Sequence, residues 1–241
     1  MTTFNAGRAA LLQHRHGDAS ADDILTIALR QAFPGRIAVV SSFGAESAVL
    51  LHLVAGIDPS TPVLFIDTGR HFPETLAYRD ALAARLGLQD VRSIGPSATD
   101  IAKLDPDTTR AAWDPDGCCA FRKVAPLARA LVPFDAWISG RKRFQASTRA
   151  ELPAFETDGA RIKVNPLARW DAAQLADYAA AHELPPHPLV ARGYLSIGCA
   201  PCTSPVFGDE DPRAGRWQGL EKTECGIHRV PATARAGRAE K

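Results

Sequence analysis

The 241-residue sequence carries almost no net charge: 28 Lys and Arg stand against 27 Asp and Glu, with 7 His, for a formal +1. Such a balance lacks the basic excess on which dedicated nucleic-acid and membrane-surface binders rely. No run approaches the roughly 18 apolar residues needed to span a bilayer, and no signal-like apolar stretch lies near the N-terminus. These absences make the expectation a cytoplasmic protein with no nucleic-acid or membrane partner; a homo-oligomer is left open. Cysteine is scarce at five residues. In a reducing cytoplasm the default uses of thiols are metal binding and catalysis rather than disulfides. What is present is ordinary: 46% hydrophobic and 23% charged residues exclude wholesale disorder, and the length suits one domain with a substantial core.

Along the chain, apolar runs and turn residues alternate as in an α/β protein. Ser20 is placed to cap a helix over residues 21–33, which Pro34-Gly35 ends. Residues 37–40 are a short branched apolar run of the kind found in buried parallel strands, and they lead into Ser41-Ser42-Phe43-Gly44-Ala45-Glu46-Ser47 and a helix over 48–55. A second strand over 62–66 ends in Asp67-Thr68-Gly69-Arg70-His71-Phe72. A helix then runs from Pro73 to Leu86 with Gly87 as its stop, and residues 88–94 and 135–139 supply two more strands. This alternation predicts a parallel sheet covered on both faces. Residues 170–182 read as a helix with Asp171 and Gln174 in a capping-box variant, and 184–198 as loop. The division expected is a loose lead-in over 1–19, one domain over 20–210, and an arm over 211–241.

Open parallel sheets bind ligands beyond the carboxyl ends of their strands. The 41–47 turn lies at such an end and offers the Ser41 and Ser42 hydroxyls, Gly44 for close backbone approach, and N–H groups opening a helix, a set suited to phosphate. It is neither a Walker A loop nor G-x-G-x-x-G, so alone it is equally an ordinary strand-to-helix turn. Asp67 at the next strand end is equally a simple cap. Gly140-Arg141-Lys142-Arg143 brings three cations to the same edge, where a solvated basic loop is the plain alternative. The coincidence of all three favours an anionic nucleotide.

The cysteines fall into two close pairs and a single. Cys118-Cys119 and Cys199-Ala200-Pro201-Cys202 supply four thiolates, enough for a tetrahedral zinc or an iron–sulfur cluster. Adjacent cysteines suit a cubane, whose irons lie at separate corners, better than one zinc; a redox C-x-x-C would leave Cys118 and Cys119 unexplained. Cys225 stands alone among charged residues and Gly, which predicts an exposed thiol with His228 nearby, a candidate nucleophile.

In order and spacing, the 41–47 turn, Asp67-Thr68-Gly69, Cys118-Cys119, Cys199-x-x-Cys202 and Glu224-Cys225-Gly226-Ile227-His228 closely resemble the assimilatory adenylyl-sulfate (APS) reductases of the phosphoadenylyl-sulfate (PAPS) reductase family, over about residues 35–228. The resemblance implies a single-domain α/β fold, a parallel-sheet adenine nucleotide α-hydrolase-like architecture with a C-terminal catalytic arm. It implies reduction of APS to sulfite and AMP by reduced thioredoxin, in sulfate assimilation toward cysteine, through an S-sulfocysteine on Cys225. By the same resemblance Cys118, Cys119, Cys199 and Cys202 hold a [4Fe-4S] cluster, and Lys123 lies between cluster and substrate. Ser41, Ser42, Gly44 and Glu46 form a modified pyrophosphate loop, with Asp67, Thr68 and Gly69 at the adenosine. Arg141, Arg213 and Arg216 meet the phosphosulfate, and His228 joins Cys225 and Lys123 in the catalytic set. Four cluster cysteines accompany APS preference in the family, with PAPS or dual use as the alternative. A zinc-stabilised ATP-pyrophosphatase-type adenylating enzyme would want an S-G-G-x-D-S loop and leaves Cys225 idle. A nucleotide-binding iron–sulfur sensor would need a partner-binding module that is not visible.

Overall fold

The computed structural model describes residues 2–208, 210–220, 222 and 224–228. In chain order the elements begin with α1 (Thr2–His16), α2 (Ala21–Thr26, continued by a wider π turn over Ile27–Ala32), β1 (Ile37–Ser41), α3 (Ser47–Ile57), β2 (Val63–Ile66), α4 (Pro73–Leu86) and β3 (Val91–Ile94). Four short helices follow, α5 (Ala98–Leu104), α6 (Arg110–Trp113), α7 (Pro115–Cys119) and α8 (Ala125–Ala130), the last two joined by a π turn over Ala120–Val124. Then come β4 (Ala136–Ile138), β5 (Phe155–Asp158), β6 (Arg161–Val164) and α9 (Ala172–Ala181).

The strands form one sheet in the order β3-β2-β1-β4-β6-β5, parallel throughout except for β5 against β6. Central β1, β2 and β4 are buried along their whole length and apolar but for Ser41 at the end of β1, as strands covered on both faces must be. One apolar layer joins β1, β2 and β4 to α2, α3 and α4; the other packs Ala38, Val40, Leu64 and Trp137 against Leu127 and Leu131. The strand order reverses between β2-β1 and β4, the switch point at which such sheets open a crevice.

The expected helix caps are present. Ser20 accepts from the Asp23 N–H, Asp171 and Gln174 close a reciprocal capping box, and Gly87 ends α4 in the left-handed region at φ 64°. Two expectations are corrected. The lead-in over 1–19 is not loose: residues 2–16 are helical, Ala9 is buried in the core, and Gln13 Oε1 accepts from the Phe155 N–H of β5. Alternation of polar residues hid that anchoring. The sheet has six strands rather than four, because the half-exposed hairpin of β5 and β6 lacks a continuous apolar signature. Of the arm expected over 211–241, residues 229–241 lie outside the described residues. No helix among the described residues is long and apolar enough to cross a membrane.

Candidate active site

A cavity of about 270 Å³ opens at the carboxyl edge of the sheet, beyond β1 and β4. Ser41, Ser42, Gly44 and Glu46 line it from the loop between β1 and α3, and Ser139 to Lys142 line it from the end of β4. The loop is held in a tight form: buried Phe43 sits at φ 48°, its N–H bonded to Ser41 Oγ at 3.1 Å. Gly44 lets the Ile197 carbonyl approach closely, since a Cβ there would meet it at 3.2 Å. Opposite, Lys123, Arg213, Arg216, Cys225 and His228 close the cavity. Residues from four distant stretches of sequence thus share one space.

Its cations are mostly engaged. Buried Arg141 pairs with Glu156 and contacts Ser139 Oγ and Asn165 Oδ1; burial, reinforced by Arg149, pushes its pKa down to about 10, which leaves it charged at neutral pH. Lys142 Nζ donates to Glu46 Oε2 at 2.5 Å, and Gln145 Nε2 donates to the same oxygen at 2.6 Å. Arg149 donates through Nε and Nη2 to the two oxygens of Glu224 at 2.6 and 2.7 Å, with Arg213 Nη2 at 3.9 Å from the same carboxylate. Burial works against ionisation of Glu224, but Arg149 first and Arg213 and Arg141 after it hold its pKa below the usual carboxylate range. Arg149 and Gln145 carry roles that the sequence does not single out; the cluster of cations after β4, Lys142 among them, is the signal of this wall.

The thiols form the other wall. Cys118 and Cys119 end α7, whose first turn is capped by Asp114, while Cys199 and Cys202 flank a 3-10 turn. All five cysteines are free thiols; Cys118, Cys119 and Cys199 are buried. Cys118 lies within electrostatic range of Cys199 and Cys202, and burial pushes its thiol pKa up. Among the described residues no three His, Cys, Asp or Glu side chains converge closely enough to hold a single metal ion. Arg216 reaches this wall by lying over Gly198, where a Cβ would come within 2.4 Å of its guanidinium.

Cys225 hydrogen-bonds Cys119 and is half-buried rather than exposed, a correction to the expectation. Its neighbours explain the docking. Ile227 packs on the apolar layer containing Trp137, and the His228 ring stacks on Trp137 at 6.1 Å between centroids and 14° between planes. A short segment needs few periodic apolar positions to dock, so its pattern was read as exposure. The Cys119 hydrogen bond depresses the Cys225 pKa well below the ordinary thiol range; burial opposes this, and Lys123, the Ile227 N–H and Arg216 add to it. Burial works against a charged Lys123, but Cys199, Cys225 and Cys119 outweigh it and raise its pKa. Burial, then Arg141, Lys163, Arg149 and Arg213, push the His228 pKa well down, so the ring is neutral at pH 7, with Nδ1 buried and unpartnered among the described residues.

Asp67, Thr68 and Gly69 do not line this cavity. Thr68 is buried with Oγ1 at 3.2 Å from Cys199 Sγ, its carbonyl accepts from Arg122 Nη1 at 2.7 Å, and Asp67 Oδ1 accepts the Gly69 N–H. The turn braces the thiol wall from behind. His71, two residues on, does line the cavity and was not singled out from the sequence; its Nε2 bonds the Ile66 carbonyl at 2.8 Å.

Residues 36–205 match the family model described as phosphoadenosine phosphosulfate reductase domain. The chain is 55% identical over 223 residues to the adenosine 5'-phosphosulfate reductase of Mesorhizobium japonicum, covering 92% of this chain and 88% of that one. It is 54% identical to the enzyme of the same name from Chelativorans sp., over 90% of this chain and 89% of the relative. The crystal structure of phosphoadenylyl-sulfate reductase from Candida auris superposes with a TM-score of 0.69 at 28% identity, covering 82% of this chain and 96% of that chain. An adenine nucleotide α-hydrolase-like fold is therefore the architecture seen here.

Proposed function

The chain belongs to the phosphoadenosine phosphosulfate reductase family, an oxidoreductase of assimilatory sulfate reduction that acts on adenosine 5'-phosphosulfate, and on that premise we propose how its own residues carry the reaction. The observation that carries the reading is the placement of the Cys225 thiol in the same cavity as Lys123, Arg141, Arg213, Arg216 and the loop after β1. The Cys225 thiolate attacks the sulfur of APS. The sulfur–oxygen bond to the phosphate breaks, AMP leaves with the electron pair, and S-sulfocysteine remains. Reduced thioredoxin, in the cytoplasm, then attacks the Cys225 sulfur and expels sulfite. The resulting mixed disulfide is resolved by thioredoxin's second thiol, so thioredoxin supplies both electrons.

Negative charge grows on the leaving phosphate, and Lys123, Arg141, Arg213 and Arg216 line the cavity where fixed positive groups stabilise it best. Ser41, Ser42 and Gly44 cradle the phosphate at the start of α3, with Glu46 holding Lys142 in place. A neutral His228 beside the docked thiol offers a hydrogen bond to the bound anion.

Cys118, Cys119, Cys199 and Cys202 would hold a [4Fe-4S] cluster. The fit rests on four free thiols, three of them buried, with Cys118 in electrostatic range of Cys199 and Cys202 and with Lys123 and Arg216 facing the thiols. When bound, such a cluster would order the site and tune its field. A Cys119 bound to iron no longer shares a proton with Cys225, so Lys123 and Arg216 become the groups that keep Cys225 ionised.

A PAPS or dual reading has one support: a relative from Gloeobacter violaceus, 42% identical over 217 residues, bears the name phosphoadenosine 5'-phosphosulfate reductase. The test is anaerobic purification followed by sulfite release from APS and from PAPS with reduced thioredoxin. Faster release from APS by a brown, iron-containing protein is expected. A colourless, iron-free protein of full activity refutes the cluster, and release from PAPS alone refutes the substrate.

A further inference from the structure

The cavity's cation wall contains a residue whose partners tie two functional segments together. Arg149 is buried on a 3-10 turn and uses its whole guanidinium. Nε and Nη2 grip Glu224 at 2.6 and 2.7 Å, the residue immediately before Cys225. Nη1 donates to Gln145 Oε1 at 2.5 Å, and the Gln145 amide donates to Glu46 of the loop after β1 at 2.6 Å. The guanidinium is thus fixed at its other end by the loop that opens the cavity. A planar fork gripping a carboxylate through two bonds fixes direction as well as distance, which an ammonium cannot do.

Resting on the functional reading above, we infer that Arg149 is a positioning residue: through Glu224 it holds the 224–228 segment docked and so places Cys225 for attack on the sulfonucleotide. Ile227 on the apolar layer and His228 on Trp137 anchor the segment after Cys225, and buried Lys222, paired with Asp116, anchors the chain three residues before it. Arg149 supplies the bidentate grip on the residue immediately before the nucleophile, shorter than the Thr148 and Arg213 contacts to the same carboxylate at 3.4 and 3.9 Å. Loss of this ion pair leaves Lys222 as the next anchor before Cys225, three residues away.

The alternative role for Arg149 is direct binding of the anionic substrate, and Glu224→Gln separates the two. If Arg149 served substrate alone, neutralising Glu224 would free it, tighten APS binding and leave Cys225 as inaccessible as before. As a strut, Glu224→Gln and Arg149→Met should both raise the rate of Cys225 alkylation by iodoacetamide, read by peptide mass mapping of the anaerobically purified protein. The rise expected is about ten- to hundredfold, the range for losing a charged hydrogen bond. Single-turnover formation of the S-sulfocysteine should fall by a similar factor at saturating APS, and Arg149→Lys should recover only part of it. Visible spectrum and far-UV circular dichroism identify any variant that has misfolded; the charge-reversed pair Arg149→Glu with Glu224→Arg should then bring alkylation back toward the wild-type rate. Alkylation and adduct formation within twofold of wild type in both folded single variants overturn the inference. Absence of sulfite from the wild type with APS overturns the functional reading instead, and leaves the accessibility measurement standing.

Discussion

The two walls of the cavity handle charge in opposite ways. On the wall at the strand ends, Arg141, Lys142 and Arg149 each pair with a carboxylate, Glu156, Glu46 and Glu224. On the thiol wall, neither Lys123 nor Arg216 pairs with a carboxylate among the described residues; both face sulfur. A substrate anion arriving at the first wall exchanges one ion pair for another, so binding there selects shape more than it gains energy. Lys123 and Arg216, unlike Arg213 with Glu224 at 3.9 Å, are matched by charge when thiols are ionised. In the reaction proposed above, the first wall would position the nucleotide, and the second would create the nucleophile and stabilise what leaves it. A nearly neutral chain achieves this by local sorting rather than net charge.

The sharpest way to break this division is at Cys225 itself. Cys225→Ser keeps both walls and removes the nucleophile, so sulfite formation should fall by at least about 10³-fold while AMP binding and iron content persist. Radiolabelled sulfite bound to that variant would show that the chemistry lies elsewhere. Next comes the support behind the thiol wall. Asp105 and Arg122 form an ion pair with both side chains 3% exposed, and Arg122 also bonds the Thr68 carbonyl beside Cys199. Asp105→Ala strands a buried guanidinium and should cost about 3–5 kcal/mol in denaturant unfolding. Arg36–Asp135, about half exposed on both sides, is the control: Asp135→Asn should cost no more than about 1 kcal/mol. Equal losses at the two sites would remove the distinction between a braced wall and an ordinary surface.

The strand-end wall was legible in the sequence because its signals are local. An apolar run followed by Ser41-Ser42-Phe43-Gly44 and another followed by Arg141-Lys142 each announce a strand and its terminal turn, and parallel strands bring such turns to one edge. The cysteines were legible as pairs, but their shared patch depends on the short helices between 98 and 130, whose few apolar residues set no clear period. Docking of Cys225 was misread for the same reason: three anchors of three different kinds, an ion pair, an apolar side chain and a stacked ring, leave no repeat to detect. Asp67-Thr68-Gly69 is a conspicuous turn whose contacts to Cys199 and Arg122 depend on residues far away in sequence and so leave no local signal.

Lys123 tests the chemical half of the comparison at a smaller scale. Lys123→Met should lower the rate of S-sulfocysteine formation about 10²–10³-fold, the effect of losing one fixed donor at a developing anion. It should also shift the pH profile of Cys225 alkylation upward. In the wild type Lys123 is one of the groups depressing that thiol's pKa, and without it the thiolate forms only at higher pH. An unchanged profile would place the ammonium too far from sulfur to matter.

The smallest effect concerns how firmly the two walls are joined. His228 is buried as a neutral ring against Trp137 and has a pKa well below 6.5, whereas an undocked His228 titrates near 6.5. Between these values the undocked segment binds a proton that the docked one refuses. The contribution of His228 to docking is therefore complete above pH 6.5 and is lost as pH falls below it, by at most about 1.4 kcal/mol per pH unit. Glu224, with a pKa below the usual carboxylate range, contributes above that range and is lost as pH falls through its own lower value, so its loss begins at a lower pH than that of His228. Amide exchange of residues 224–228, corrected for its intrinsic pH dependence, should accelerate modestly between pH 6.5 and 5.5. His228→Asn should flatten that step and leave the more acidic one in place. A step that survives His228→Asn would mean that the ring does not hold the segment, and that the ion pair at Glu224 joins the walls alone.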